Sequence, residues 1–246
     1  MLIDSFIDVY AICKYYSPTK YNIDALLNKY FWFSKRENLN DPFDLAGFSN
    51  SVMQWLLCSV VSGNPTLGYM LTELPSSSKL DFFKEYASCS FSRSPFNRLM
   101  WAYYTNNYQG WCLVFRTREV LKGSNEELRE VIYVDDTLVP IDNNITIDFQ
   151  KDPEVLLRIK HKDWQHEQEE RIIIKRINNN FKREWANDIL MAVIVGHNIN
   201  EENLTMISKY CYDNNIDLFQ TKQSMSFDLD IYQLRNATNK CHLDIT

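Results

Sequence analysis

A chain of 246 residues with 45% apolar and 14% aromatic content can bury a substantial core, and a single large domain is expected. Its formal net charge of -6 argues against broad, nonspecific binding to duplex DNA, while a local basic cleft is still compatible with it. Cys13, Cys58, Cys89, Cys112, Cys211 and Cys241 have no paired spacing, so neither a zinc knuckle nor a compact disulfide framework is expected and the thiols read as reduced core residues.

The first ten residues hold Asp4 and Asp8 without a basic stretch, and no apolar run is long enough to span a membrane; a cytoplasmic protein is expected. Residues 10–16, YAICKYY, are rich in strand formers and stop at Ser17-Pro18, which predicts a short strand. Asn22 as an N-cap, followed by Ile23, Leu26, Leu27 and Tyr30 at helical spacing, predicts a helix, and FWFS at 31–34 reads as a strand. Asn40-Asp41-Pro42-Phe43-Asp44 reads as a turn-forming segment. Residues 47–85 read as a helical insert rather than a separate domain, punctuated at Gly63-Asn64-Pro65 and at Pro75-Ser76-Ser77-Ser78.

ASCSFS at 87–92 suits a central strand, 93–104 a helix, and Gly110 opens the strand WCLVF. A strand is predicted at 131–134, and Asp152-Pro153-Glu154 should start a helix reaching about Trp164. Strands follow at 171–175 and 192–195, the latter closed by Gly196, then an amphipathic helix at 201–212 and strands at 216–220 and 231–234. Strands outnumber long helices and do not alternate with them, which predicts an α+β fold with a curved or split sheet instead of a doubly wound one.

The densest chemistry lies in WQHEQEER, residues 164–171. In an extended chain Glu167, Glu169 and Arg171 project to one face while His166, Gln168 and Glu170 project to the other. Two acids at that spacing shift each other's proton affinity in opposite directions. Such a pair suits a reaction that builds positive charge on a sugar carbon, with one carboxylate steadying the ion and the other orienting or deprotonating the attacking group, so a glycosidic bond is the natural target. The alternative is a solvated helix in which Glu167 and Arg171 form an i, i+4 pair.

His161, His166, His197 and His242 are too dispersed for a metal site, and no catalytic metal is expected. There is no Walker loop or Gly-x-Gly-x-x-Gly fingerprint, and six glycines leave little material for one.

Six segments in fixed order carry a resemblance: Lys14-Tyr15, FWFS, Asn40 to Asp44, Ser90-Phe91-Ser92, Leu99-Met100-Trp101-Ala102-Tyr103-Tyr104 leading to Gly110, and Trp164 with Glu167, Glu169 and Arg171. Together they resemble a bacterial family with a domain of unknown function, akin to the AbiGi abortive-infection proteins and distantly similar to ADP-ribosyltransferases. The resemblance implies an ADP-ribosyltransferase-like split sheet and an enzyme of an anti-phage defence or toxin system. NAD would be its co-substrate, with ADP-ribose passed to a protein or RNA, and an inhibitory partner or a phage trigger would control it. Glu167-Gln168-Glu169 resembles the Glu-x-Glu loop of those transferases, which makes Glu169 the main catalytic residue and Glu167 the one that prepares the acceptor. Ser90 and Ser92 fall at the serine-bearing strand, and Lys14 or Tyr15 stands where the transferases carry a first-strand Arg or His. Tyr103 and Tyr108 stand where family members often carry histidine.

Tyr15, Trp101 and Tyr104 would stack on a nicotinamide or adenine ring, or else pack in the core. Asp41 and Asp44 would bind ribose hydroxyls or a cationic acceptor, or else serve the turn. Arg93 and Arg171 would clamp the pyrophosphate, with a salt bridge to Glu169 or Glu167 as the alternative for Arg171. Ser92 would orient the key glutamate or satisfy a strand end. Two other functions fit the same residues: NAD hydrolysis with water as acceptor, and a noncatalytic sensor or binding module that keeps the cleft without the chemistry.

Overall fold

The structure, a computed structural model, describes residues 11–41, 44, 86–116, 127–135, 142, 153–175, 181–186, 188–224 and 228–235. In chain order its elements are β1 (Ala11–Tyr16), α1 (Lys20–Leu27), β2 (Tyr30–Trp32), β3 (Tyr86–Ser92), α2 (Arg98–Tyr104), β4 (Trp111–Arg116), β5 (Leu128–Glu130), β6 (Ile132–Val134), β7 (Ile159–His161), β8 (Glu169–Lys175), β9 (Lys182–Glu184), β10 (Leu190–Val195), α3 (Glu201–Asn214), β11 (Asp217–Gln223) and β12 (Leu229–Arg235). Eight strands form one mixed sheet in the order β12-β11-β10-β4-β1-β3-β8-β5. Every neighbouring pair is antiparallel except β10 and β11, which are joined by a crossover through α3. The class is α+β, with few helices around a large sheet.

Two-sided burial explains the central strands. Along β4, Leu113 and Phe115 enter one apolar cluster with Ile12, Phe31, Phe91, Val193 and Leu218, while Cys112 and Val114 enter a second with Cys13, Trp101, Ile194 and Phe219. Both faces are dry, so WCLVF and LMAVIV read as near-continuous apolar runs. Gly110 is required before β4 because a Cβ there would lie 1.9 Å from the Tyr16 carbonyl oxygen.

Between β1 and β3 the sheet is barely joined. Their register holds one pair, Cys13 opposite Ser92, although β1 pairs with β4 along its full length. The Lys14 ammonium donates to the Ser90 carbonyl at 2.9 Å, a side-chain bond across strands that main-chain pairing does not close. Two small sheets flank this region: β2 with β9, antiparallel, and β6 with β7, parallel.

Several expected elements are corrected. The first helix starts at Lys20, because Thr19 in extended backbone accepts the Asn22 N–H as the cap; Asn22 is inside the helix and its amide donates to the Ser17 carbonyl. The helix expected over 93–104 begins at Arg98, where the Asn97 side chain accepts from Leu99 and Met100. The helix expected to reach Trp164 does not form. Short 3-10 segments, Pro153–Arg158 and Lys162–Glu167, flank β7 instead, because pairing with β6 and burial of Lys160 outweigh the local helix-start signal. β5 and β9 were not anticipated from periodicity. The helical insert over 47–85 lies outside the described residues. Among the described residues no helix is long and apolar enough to cross a membrane.

Candidate functional site

The Glu167-Gln168-Glu169 segment is a turn, not a strand. The 3-10 segment Lys162–Glu167 ends on Gln168 in the left-handed conformation (φ 46°), and β8 starts at Glu169. Three consecutive carbonyls of the turn are held: His166 accepts from the Asn97 amide, Glu167 from the Ser92 hydroxyl at 2.7 Å, and Gln168 from the Arg93 N–H at 3.1 Å. The Glu169 N–H donates to the Tyr133 hydroxyl at 2.9 Å. A turn tied at each step pre-organises both carboxylates.

Both carboxylates point inward. Asp44, Lys160, Glu167, Glu169 and Arg171 are each no more than 5% exposed, so burial of charge is offset by pairing. Arg171 grips Glu169 with two nitrogens, at 2.6 and 2.9 Å, binds Asp44 at 2.6 Å and donates to the Leu157 carbonyl at 3.0 Å. Lys160 lies between the acids, 2.5 Å from Glu167, 3.1 Å from Glu169 and 3.3 Å from Asp44, under the Trp164 ring at 5.0 Å. The Tyr104 hydroxyl donates to Glu167 and accepts from the Asn40 amide at 2.7 Å. A solvated Glu167–Arg171 helix pair is therefore excluded.

The two glutamates are driven apart in proton affinity. Burial raises Glu167, and the neighbouring Glu169 adds to this against the pull of Lys160 and Tyr104. Burial acts on Glu169 in the same sense, but the charge and hydrogen bonds of Arg171, followed by Lys160 and Ser90, overcome it and hold the carboxyl at about 2. The signs for stability are opposite. Glu169 binds fewer protons folded than unfolded, so its contribution is present above about pH 4.5 and is lost as pH falls toward about 2; Glu167 binds more, so its share declines as pH rises above the ordinary glutamate range. Melts followed by circular dichroism from pH 2 to 7 should show a loss of stability below about pH 4.5 that is smaller in Glu169→Gln; an identical acid profile for the variant would refute this assignment.

A cavity of about 250 Å³ opens onto these acids between β1 and β3. Lys14 and Tyr15 line it from β1, Ser90 and Ser92 from β3, and Asp44, Tyr104, Glu167 and Glu169 close it. Ser88 also faces it, and its buried hydroxyl meets no hydrogen-bond partner among the described residues. Register places Ser92 opposite Glu169 and Ser90 opposite Arg171, so the serines at 88, 90 and 92 line the cavity with the period of a strand.

Other expected residues lie elsewhere. Trp101 is fully buried behind Tyr15, edge-on at 5.4 Å, with its indole N–H on the Pro95 carbonyl, so it supports Tyr15 and offers no face to a ligand. Arg171 is beneath the cavity, occupied by Asp44 and Glu169. Arg93 pairs with Glu170 and Glu130 and lines a second cavity of about 570 Å³ with Tyr133, His166 and Glu169, so it does not meet the first one. Asp41 is buried, and its carbonyl accepts the Asp44 N–H at 3.1 Å as a turn residue would. Tyr103 is exposed, and Tyr108 stacks on Trp101 and meets the His197 ring at a tilt, 4.5 Å between centres. Lys160, Ser88 and Tyr133 were not anticipated. Strand alternation from Ile159 to His161 is the one local signal that sets Lys160 apart, and it is too short to outweigh the helix pattern around it.

The sequence model of a family described as a protein of unknown function (DUF2971) matches residues 100–172. That span runs from α2 to β8 and includes Tyr104, Tyr133, Lys160, Glu167, Glu169 and Arg171. Neither the curated proteins nor the solved structures give a match.

Proposed function

We propose that this protein is an ADP-ribosyltransferase-like enzyme that breaks the nicotinamide glycosidic bond of NAD and passes ADP-ribose to a protein or RNA. The observation that carries this reading is the pair of buried carboxylates on one rigid turn, facing one cavity, with Glu169 held anionic and Glu167 avid for a proton. Environments that push two acids apart assign two roles. As nicotinamide leaves with the bonding electrons, positive charge builds on C1′, where a fixed anion at Glu169 lowers its energy. Glu167 then takes the proton of the attacking hydroxyl or amine, or of water in simple hydrolysis. The opening of the sheet between β1 and β3 supports a split-sheet fold of the transferase type, and the six-segment resemblance supports a cytoplasmic role in bacterial abortive infection, under an inhibitory partner or a phage trigger.

Incubating the purified protein with NAD and following free nicotinamide tests the reading. Release together with label on protein or RNA is expected, and release without label would mean hydrolysis. One observation favours a second reading, a noncatalytic binding module: both oxygens of Glu169 already meet Arg171 and Lys160. No release by the wild type, and none by any variant, would select that module.

A further inference from the structure

We infer that the cavity between β1 and β3 is built for a ribosyl monophosphate carrying a cationic base, gripped at its phosphate by Lys14, so that nicotinamide mononucleotide is a substrate in its own right. This rests on the glycosidic-cleavage reading and names the substrate class of that same site.

Size is the first argument. A volume of about 250 Å³ falls below the roughly 300–1,000 Å³ of pockets that enclose drug-sized ligands. It suits one ring and one sugar; a dinucleotide would have to leave its adenylate half outside. Charge is the second. A pyrophosphate is well gripped by forked guanidinium groups, yet Arg171 is spent on Asp44 and Glu169, and Arg93 faces another cavity on Glu170 and Glu130. Lys14 is different. Its ammonium donates to the Ser90 carbonyl, meets the Cys89 thiol and lies 5.3 and 5.7 Å from the Phe91 and Tyr16 ring centres, and among the described residues it meets no carboxylate. A single ammonium without an acidic partner is a point-charge partner for one phosphate.

Layout is the third argument. Along β3, Ser92 stands opposite Glu169, and the Ser90 carbonyl, two residues away, holds Lys14. Two residues of strand span about 6–7 Å, a separation that one ribose 5-phosphate bridges between C1′ and its phosphorus. C1′ can therefore sit at the carboxylates while the phosphate reaches Lys14. In the reaction the C1′–N bond breaks, both electrons pass to the ring nitrogen and neutralise the pyridinium, and water adds to C1′ while its proton goes to Glu167. The products are nicotinamide and ribose 5-phosphate.

The test compares nicotinamide release from NAD, nicotinamide mononucleotide and nicotinamide riboside, using wild type and Lys14→Met. We expect kcat/KM for the mononucleotide to lie within about tenfold of that for NAD, and Lys14→Met to lower the mononucleotide-to-riboside ratio by about 10- to 100-fold, the worth of one charge-assisted hydrogen bond. Cleavage of NAD with the mononucleotide more than about tenfold worse, or a ratio unmoved by Lys14→Met, overturns the inference and leaves the glycosidic reading intact. If none of the three releases nicotinamide, that reading fails by itself. Calorimetric titration of the mononucleotide then decides: binding that Lys14→Met removes upholds the pocket, and no heat of binding ends it.

Discussion

Glu169→Gln is expected to cut nicotinamide release from NAD by about 100- to 1,000-fold, the cost of removing one fixed electrostatic group from a developing charge. Gln keeps the shape and one acceptor oxygen for Arg171 but removes the anion that the ribosyl cation needs. Two features make the substitution informative. Arg171 and Asp44 still pair, so the floor of the site survives, and Glu167 still meets Lys160 and Tyr104. The loss should fall on kcat more than on KM, because the ground-state ligand has little to gain from an acid already shared by two cations. In cells, expression of the wild type should slow growth and Glu169→Ala should relieve it. Equal toxicity of the two forms, or release by Glu169→Gln within a few-fold of wild type, would remove Glu169 from the chemistry.

Arg171→Met should destabilise the fold by about 3–5 kcal/mol, which for a chain of this length lowers the melting temperature by roughly 10 °C or more. The guanidinium is 1% exposed and supplies bonds to Glu169, Asp44 and the Leu157 carbonyl. Methionine fills the volume but takes the guanidinium away from Asp44 and Glu169, which keep their contacts to Lys160. The proton affinity of Glu169 should rise with its main partner gone, so the deficit should shrink as pH falls and the acid protonates. Pairing the change with Glu169→Gln should recover part of the loss, since the coupling between contacting charges is not additive. A melting point within about 2 °C of wild type would show that the pair contributes almost nothing.

Much of this site was legible before any fold was known, and each part for a definite reason. Glu169 and Arg171 are two apart in a segment that becomes β8, so period-two alternation placed them on one face. Glu167 joined them by a different route than alternation implies: it ends a 3-10 segment, and left-handed Gln168 redirects the chain. Ser90 and Ser92 belonged to a readable central strand. Trp101 and Arg93 were not separable by type from Tyr15 and Arg171, because an aromatic or a guanidinium looks the same in sequence whether it faces a cavity, a core or a neighbouring glutamate. Lys160 was invisible inside an apparent helix, where a lysine reads as a solvated residue.

Local periodicity determined the strands with two apolar faces, the amphipathic α3, the α+β class and the convergence of acids near position 168, since each depends on side chains a few residues apart. Long-range pairing alone decided the rest. The single Cys13–Ser92 register pair opens the sheet, and the β6–β7 ladder carries Lys160 to acids from three other segments. Whether a charge is buried depends on what the distant chain places over it, and here that made Lys160 and Arg171 the internal counter-ions while Lys14 was left facing the cavity.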